Sequence, residues 1–167
     1  MARDDDPFHD VATANDVYAD GYQLGGLEPR AARGLAVLTC MDSRIDPLGM
    51  LGLVRGDAKI LRNAGARVTD DVLRTLVLAT YLLGVERFMV VAHTRCRMAG
   101  AGEDDVHAAI MQAGGPDTRS MSFLTTADPD GAVCLDVQRV RSSPYLSDVT
   151  VGGFVLDIDT GRLRRVC

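Results

Sequence analysis

The chain has 167 residues, 47% of them hydrophobic and 25% charged, a composition typical of one folded domain and not of a disordered segment. A formal net charge of −5 argues against a nucleic-acid-binding surface, which would need a basic patch. The longest apolar run, residues 76–84, is too short to span a bilayer, and the acidic N-terminus lacks the apolar segment of a secretion signal. We therefore expect a cytoplasmic protein with one domain over residues 1–167, bound to neither nucleic acid nor membrane.

The N-terminal segment, residues 1–30, reads as an arm ahead of the main body. Val11, Ala14, Tyr18 and Tyr22 have helical spacing in an otherwise polar stretch, which predicts an amphipathic helix. Its apolar side could pack on its own domain or on another surface, and the spacing alone leaves both possibilities open.

Three short apolar segments follow and are typical of strands buried in a parallel sheet: Leu35–Cys40, Ala58–Leu61 and Arg87–Ala92. A long helix is predicted between the second and third of them. Thr69 can cap its start and Gly84 suits its end. This βαβ pattern indicates an α/β fold.

The C-terminal half predicts a helix over Glu103–Ala113, then a strand near residues 148–157, a turn at residues 159–161 and a short returning strand. The remaining histidines and cysteines carry weaker signals. We expect His107 to be solvated on its helix, Cys134 to be a core residue of a strand with the sequence AVCLDV, and Cys167 to be an incidental thiol; His9 carries no signal.

Reactive side chains follow two of the predicted strands where each strand ends. Cys40 closes the first strand, and His93-Thr94-Arg95-Cys96 follows the third. Ligands of open parallel sheets bind beyond the carboxyl ends of strands, so the two segments could converge. Cys40, His93 and Cys96 form a Cys₂His set, an arrangement of catalytic zinc sites that leaves a fourth position for water or for Asp42.

Cys40 allows two other interpretations besides the metal site. A Cys40–His93 nucleophilic pair leaves Cys96 without a role, and the segment CMDSR lacks the glycines of a phosphatase loop. Cys40 could also be a buried thiol beside an ordinary Asp42–Arg44 ion pair. The metal site is favoured because it uses all three ligand-type residues. Gly65 is expected to form a tight backbone turn near this site.

Together these motifs resemble the β-class carbonic anhydrases over about residues 30–165. The matching pieces are Cys40-x-Asp42-x-Arg44, Arg62-Asn63-Ala64-Gly65, the long helix after it, His93-x-x-Cys96 and the tail over residues 136–163. The resemblance implies a mostly parallel central sheet flanked by helices, assembled as a homodimer or tetramer with the N-terminal helix reaching over the partner.

The resemblance also implies a reaction. Zn²⁺ held by Cys40, His93 and Cys96 would carry a hydroxide that hydrates carbon dioxide to bicarbonate. Asp42 would orient that hydroxide or, in a closed state, become the fourth ligand, while Arg44 holds Asp42 off the metal. Gly65 would lie beside the substrate.

Two arginines depart from the family pattern, which usually has Asp before the second cysteine and Gly after it. Here Arg95 and Arg97 occupy those positions. Arg97 could narrow the pocket, add a contact to an anion, or turn to solvent. Two alternative functions therefore stay open: a zinc hydrolase acting on another CO₂-like molecule such as carbon disulfide, and a non-catalytic protein that binds zinc and bicarbonate.

Overall fold

A computed structural model describes residues 6–167, and its centre is a five-stranded sheet with the order β2-β1-β3-β4-β5. The first four strands are parallel and β5 is antiparallel to β4. The strands are β1 (Leu35–Cys40), β2 (Ala58–Asn63), β3 (Arg87–His93), β4 (Thr150–Leu156) and β5 (Leu163–Arg165). The helices are α1 (His9–Asp20), α2 (Asp70–Leu83), α3 (Glu103–Gln112) and α4 (Pro129–Arg141). The predicted mostly parallel sheet with flanking helices is confirmed.

Strand β1 lies inside the sheet, where all six of its residues are buried. It pairs with β2 on one side and β3 on the other, and the register sets Thr39 opposite both Arg62 and Val91. Since the three strands run in one direction with little offset, their carboxyl ends meet at one edge of the sheet.

Helix α2 follows the predicted boundaries because its caps are strong. The side chain of Thr69 accepts a hydrogen bond from the backbone N–H of Val72, and Gly84 ends the helix at φ 72°. Its apolar face packs on the sheet through Val72, Leu76 and Ala79. This crossover connects β2 to β3, and β3 is one of the two strands whose ends carry the site.

The strand predicted around Cys134 is wrong, because this segment belongs to α4. Asp128 accepts a hydrogen bond from the N–H of Gly131 at 3.0 Å, and Pro129 occupies the first turn, two signals of a helix start. The buried residues of α4 have helical spacing: Ala132, Val133, Asp136, Val137 and Val140. The short apolar run Ala132–Leu135 that suggested a strand is part of this helix, with Leu135 exposed between the buried pairs.

His107 is not solvated as predicted. Its ring is half-buried, lies 5.4 Å from the ring of Phe123, and places Nδ1 2.9 Å from the hydroxyl of Thr118. The loop after α3 folds back over the helix and covers the His107 ring with Phe123 and Thr118. Cys167 is also half-buried, because its backbone pairs with Gly153 of β4.

Helix α1 forms as predicted but buries none of its residues. Its main contact with the body is Tyr18, whose hydroxyl accepts a hydrogen bond from Arg55 at 2.8 Å. Residues 1–5 of the predicted arm lie outside the described part of the chain. Within residues 6–167, no helix combines the length and hydropathy needed to cross a membrane.

Candidate metal centre

Cys40, His93 and Cys96 come together at the carboxyl edge of the sheet. Cys40 is the last residue of β1, His93 is the last residue of β3, and Cys96 lies in the turn that follows. Their ligand atoms all lie within 4.8 Å of one another, and the two Sγ atoms are 3.9 Å apart. All three side chains are buried. The parallel register therefore converts two distant sequence motifs into one compact donor set.

The imidazole of His93 is oriented so that Nε2 can bind a metal ion. Its Nδ1 lies 2.9 Å from the carbonyl oxygen of Thr94, and since a carbonyl only accepts, Nδ1 carries the proton. Nε2 then presents its lone pair to the two thiols, and it is buried without a hydrogen-bond partner in the described residues. A buried acceptor left unpaired costs about 1–3 kcal/mol, a cost that a bound metal would remove. Two thiolates and an imidazole are a donor set that suits zinc.

The two thiols influence each other strongly. A hydrogen bond from Cys96, helped by His93, lowers the pKa of Cys40 despite its burial. The same contact with Cys40, together with burial, raises the pKa of Cys96. The pKa of His93 is raised, chiefly by its interaction with Cys40. The cluster thus carries a thiolate at neutral pH and attracts either a proton or a cation.

Asp42 lies beside this cluster and is held by Arg44. The guanidinium donates from Nε to Oδ1 at 2.9 Å and from Nη2 to Oδ2 at 2.7 Å. These bonds hold the pKa of the Asp42 carboxyl well below its usual range. Oδ2 is nevertheless 3.9 Å from Nε2 of His93. Arg44 also donates to the carbonyl of Arg95 at 3.4 Å, a contact that links the two motif loops.

Arg62 of β2 contacts the backbone of the first motif loop. Its guanidinium donates to the carbonyl oxygens of Cys40 at 3.0 Å, Ile45 at 3.3 Å and Asp42 at 2.6 Å. Sequence reasoning placed Arg62 in a matching motif but gave it no role. The signal available was its position next to the end of β2, which a parallel register aligns with the end of β1.

The two arginines that depart from the family pattern differ in their surroundings. Arg95 has a positive φ of 53° and forms an ion pair with Asp159, in the turn after β4. The hydroxyl of Thr94 accepts a hydrogen bond from the N–H of Ile158 in the same turn at 3.0 Å. Arg97 is exposed and is not among the residues that line the cavity beside the cluster.

Gly65 forms the predicted tight turn near the site. Its φ is 76°, and a Cβ at this position would lie 3.3 Å from Cβ of Met98. Both the backbone conformation and the close approach favour glycine. Gly65 and Met98 line a narrow cavity next to His93 and Cys96 that is walled mostly by apolar side chains.

Sequence reasoning missed an ion pair between two of the side chains that line this cavity. Arg67 donates from Nε to Oδ2 of the buried Asp136 at 2.7 Å and from Nη1 to the carbonyl of Leu124 at 2.7 Å. Asp136 was hidden because it lies in the segment predicted as a strand. The pair joins α4 to the turn after β2 and so supports the cavity wall.

Comparisons with known proteins agree on one family. A family model described as carbonic anhydrase matches residues 35–122. The chain is 37% identical over 156 residues to β-carbonic anhydrase 1 of Mycobacterium bovis, covering 92% of this chain and 94% of that protein. A solved carbonic anhydrase structure from Streptococcus mutans is 35% identical, with a TM-score of 0.88 and coverage of 96% and 97%. A carbon disulfide hydrolase of Acidithiobacillus thiooxidans is 31% identical over 153 residues, covering 79% of this chain and 76% of that protein.

Proposed function

The chain belongs to the β-carbonic anhydrase family, and on that premise we propose that it catalyses the reversible hydration of carbon dioxide to bicarbonate and a proton. The observation that carries this proposal is the buried Cys₂His cluster, whose His93 Nε2 has no partner among residues 6–167 and lies beside an ionised Asp42. This arrangement combines a cation site, which can lower the pKa of water, with an adjacent hydrogen-bond acceptor, which can orient that water.

We infer that Cys40, His93 and Cys96 would hold one zinc ion. Zinc bound there would act as a Lewis acid and lower the pKa of water, so that a nucleophile exists near neutral pH. Contacts within the protein set the protonation states of the ligand residues. The carbonyl of Thr94 fixes the His93 tautomer, and the mutual hydrogen bond of the thiols keeps one of them ionised.

Asp42 would act as the residue that orients the attacking water. Its carboxylate stays ionised because of Arg44, so an oxygen of Asp42 can accept a hydrogen bond from that water and direct a lone pair at the substrate carbon. The water gives one proton to solvent, its oxygen bonds to carbon, and one C=O bond of carbon dioxide becomes the C–O⁻ of bicarbonate. Arg44 holds Asp42 in place for this step.

Gly65 is a candidate for the substrate side of the site. It lies in the cavity wall together with Ala92 and Met98, next to His93 and Cys96. A wall of this kind suits carbon dioxide, which is small and apolar, and it excludes bulk water from the reacting carbon. The substrate-binding role of Gly65 stays a prediction.

Carbon disulfide hydrolysis is the second candidate function. The 31% identity to a carbon disulfide hydrolase favours it, and carbon disulfide is linear and apolar like carbon dioxide. The ligand set and Asp42 would serve both reactions, so access to the cavity would decide between them.

A stopped-flow assay of carbon dioxide hydration on protein of known zinc content tests the proposal. We expect rapid hydration that requires zinc and falls in Asp42→Asn. Sulfide release from carbon disulfide without hydration of carbon dioxide would support the second candidate. Full zinc occupancy with neither activity would favour a non-catalytic protein that binds zinc and bicarbonate.

We also propose a homodimer or tetramer in which α1 contributes to the interface. Support comes from the apolar side chains that α1 and the following residues expose: Val11, Val17, Tyr18, Tyr22 and Leu27. A helix with no buried residue gains little stability from its own domain, whereas a second copy could cover it. The cytoplasmic location predicted from the sequence stays a prediction.

A further inference from the structure

We propose that Arg62 is the positioning residue of the first motif loop, and that it holds Cys40 and Asp42 in register with the rest of the metal site. The inference deepens the proposed function, since it rests on the metal site of Cys40, His93 and Cys96. It concerns a side chain that contacts neither the ligand atoms nor the substrate cavity.

The contacts of Arg62 converge on one short stretch of backbone. Its Nε, Nη2 and Nη1 reach the carbonyl oxygens of Cys40, Asp42 and Ile45 at 3.0, 2.6 and 3.3 Å. A guanidinium is rigid and planar, so three donors in one plane fix the relative positions of three carbonyls. One guanidinium group thereby holds the backbone of both Cys40, a proposed metal ligand, and Asp42, the proposed hydrogen-bond acceptor.

Few backbone hydrogen bonds restrain the loop in this region, and the side chain of Arg44 links it to the carbonyl of Arg95. The N–H of Met41 bonds to the carbonyl of Asn63 at 2.9 Å, which continues the pairing of β1 with β2. Beyond it, Ile45 donates to the carbonyl of Asp42 at 3.1 Å, a contact within the loop itself. Arg62 is therefore the side chain whose hydrogen bonds connect the distal part of the loop to β2, while the buried side chain of Ile45 packs with Val37 and Val91 of the sheet.

Different arginines restrain the backbone and the side chain of Asp42, so the two can move independently. Its backbone carbonyl is held by Arg62, while its carboxylate is held by Arg44 through a different pair of bonds. Side-chain rotation can then move the carboxylate while the backbone of Cys40 and of the loop after it stays in place. Without Arg62, movement of Asp42 and displacement of Cys40 would be coupled.

The test uses two variants. Arg62→Gln removes the charge and the planar set of guanidinium N–H donors. Arg62→Lys keeps the charge but offers a single ammonium group for three carbonyls. Arg74→Lys is the matched control, because Arg74 makes an exposed ion pair with Asp71 on α2 away from the cluster. Zinc affinity is measured by competition with a chelator. The visible spectrum of the cobalt(II)-substituted protein is recorded per bound cobalt.

We expect Arg62→Gln to fold, to bind zinc about 10- to 100-fold more weakly, and to show altered ligand-field bands, as for other residues that orient metal ligands. Arg62→Lys should show a smaller loss, and Arg74→Lys should match the parent. If Arg62→Gln does not fold, Arg62→Lys decides by the same two measurements.

Zinc affinity and a cobalt spectrum equal to the parent's would overturn the inference. A weaker affinity with an unchanged spectrum per bound cobalt would also overturn it, since general loss of stability alone gives that result. Neither measurement uses carbon dioxide, so the two proposals can fail separately. A parent protein that binds zinc but lacks hydratase activity would contradict the proposed reaction and would not contradict this inference. A parent that binds no zinc would sink both.

Discussion

The carboxylate of Asp42 and the ring of His93 are almost in contact, with Oδ2 of the former 3.9 Å from Nε2 of the latter. In this structure the carboxylate is turned to Arg44, which binds both of its oxygens. Asp42 therefore has two possible partners: Arg44, and the metal that His93 would help to hold. Because Arg44 keeps the pKa of Asp42 low, the carboxylate is ionised at neutral pH and available to either. We predict that Asp42 and Arg44 act as a gate on the fourth coordination position of a metal bound by Cys40, His93 and Cys96.

Removing Arg44 should close this gate. In Arg44→Ala we expect zinc to stay bound while turnover falls about 10- to 100-fold, since the released carboxylate would occupy the position that water needs. Stopped-flow hydration with zinc quantified in each sample measures both. Arg119→Ala is the matched control, because Arg119 makes the same two-residue pairing with Asp117, donating to Oδ1 at 2.9 Å and to Oδ2 at 2.6 Å. Full activity in Arg44→Ala would reduce the pair to a structural salt bridge.

The gate also predicts a pH dependence. The Asp42 pKa is far below neutral, so raising the pH does not change its charge but supplies more hydroxide to compete for the fourth position. Activity of the parent should therefore climb from neutral to alkaline pH. Asp42→Asn removes the anionic competitor and should respond less steeply over the same range. A parent profile that is flat between neutral and alkaline pH would contradict the gate.

Loss of one ligand should release the metal. Cys96→Ala should bind less than one zinc per chain and melt at a lower temperature, because metal binding is coupled to folding. Elemental analysis after dialysis gives the zinc content. Cys134→Ala provides the control, since Cys134 is a half-buried thiol of α4 outside the cluster. Unchanged zinc content in Cys96→Ala would rule out the ligand set.

Zinc uptake should displace protons, with a sign set by the cluster. The pKa values of Cys96 and His93 are both raised, so lowering the pH protonates the groups that zinc must bind, and apparent affinity should fall. Near neutral pH we expect zinc to release about one proton, from Cys96, because Cys40 is already ionised and Nε2 of His93 already carries a lone pair. Titration calorimetry in buffers of different ionisation enthalpy counts them. Zinc binding without proton release would show that all three ligands are already deprotonated.

Arg97 tests whether this chain's departure from the family pattern matters. The side chain is exposed beside Cys96, where it could face a partner subunit or an entering anion. If it does, Arg97→Gly should change KM or inhibition by anions about several-fold while zinc content stays constant. Steady-state kinetics with and without a competing anion provide the measurement. Parent-like values for both would mean that Arg97 simply faces solvent.

The N-terminal arm should matter for assembly. Deleting residues 1–22 removes α1 with its exposed apolar side chains, and we expect weaker self-association with zinc still bound. Sedimentation velocity of both proteins over a range of concentrations measures this. Tyr18→Ala, which removes the contact with Arg55, shows whether anchoring of the helix to the body contributes. A full-length chain that sediments as a monomer at all concentrations would contradict the proposed homodimer.

Elements with consistent local signals could be predicted from the sequence. Strand β1 is a nearly continuous apolar run, as expected for a buried strand. In α2 the apolar spacing predicts a helix, and Thr69 and Gly84 mark its two ends, so all the local signals agree with the observed element. In α4 they disagreed: the apolar spacing around Cys134 suggested a strand, while Asp128 and Pro129 marked a helix start. The capping signal was the more reliable of the two because it reflects a specific backbone requirement.

The supporting contacts of the site could not be predicted in the same way. The parallel register could place Arg62 near the end of β1, but its bonds to three carbonyls depend on the path of the loop after Cys40, which has no pattern in the sequence. The Arg67–Asp136 pair depends on how α4 packs against the turn after β2. Such contacts are fixed by tertiary structure, whereas the ligand types were visible because their chemistry is rare.

The interior position of β1 has a consequence for motion. A strand buried along its whole length and paired on both sides opens to solvent only when much of the domain opens, so its amides should exchange hydrogen among the slowest in the chain. Cys40 is the last residue of this strand, whereas Asp42 and Arg44 lie in the loop beyond it. A ligand thiol and a movable carboxylate two residues apart thus belong to regions of different local stability. We therefore expect Asp42 to change its partner faster than a metal bound by Cys40 would be released.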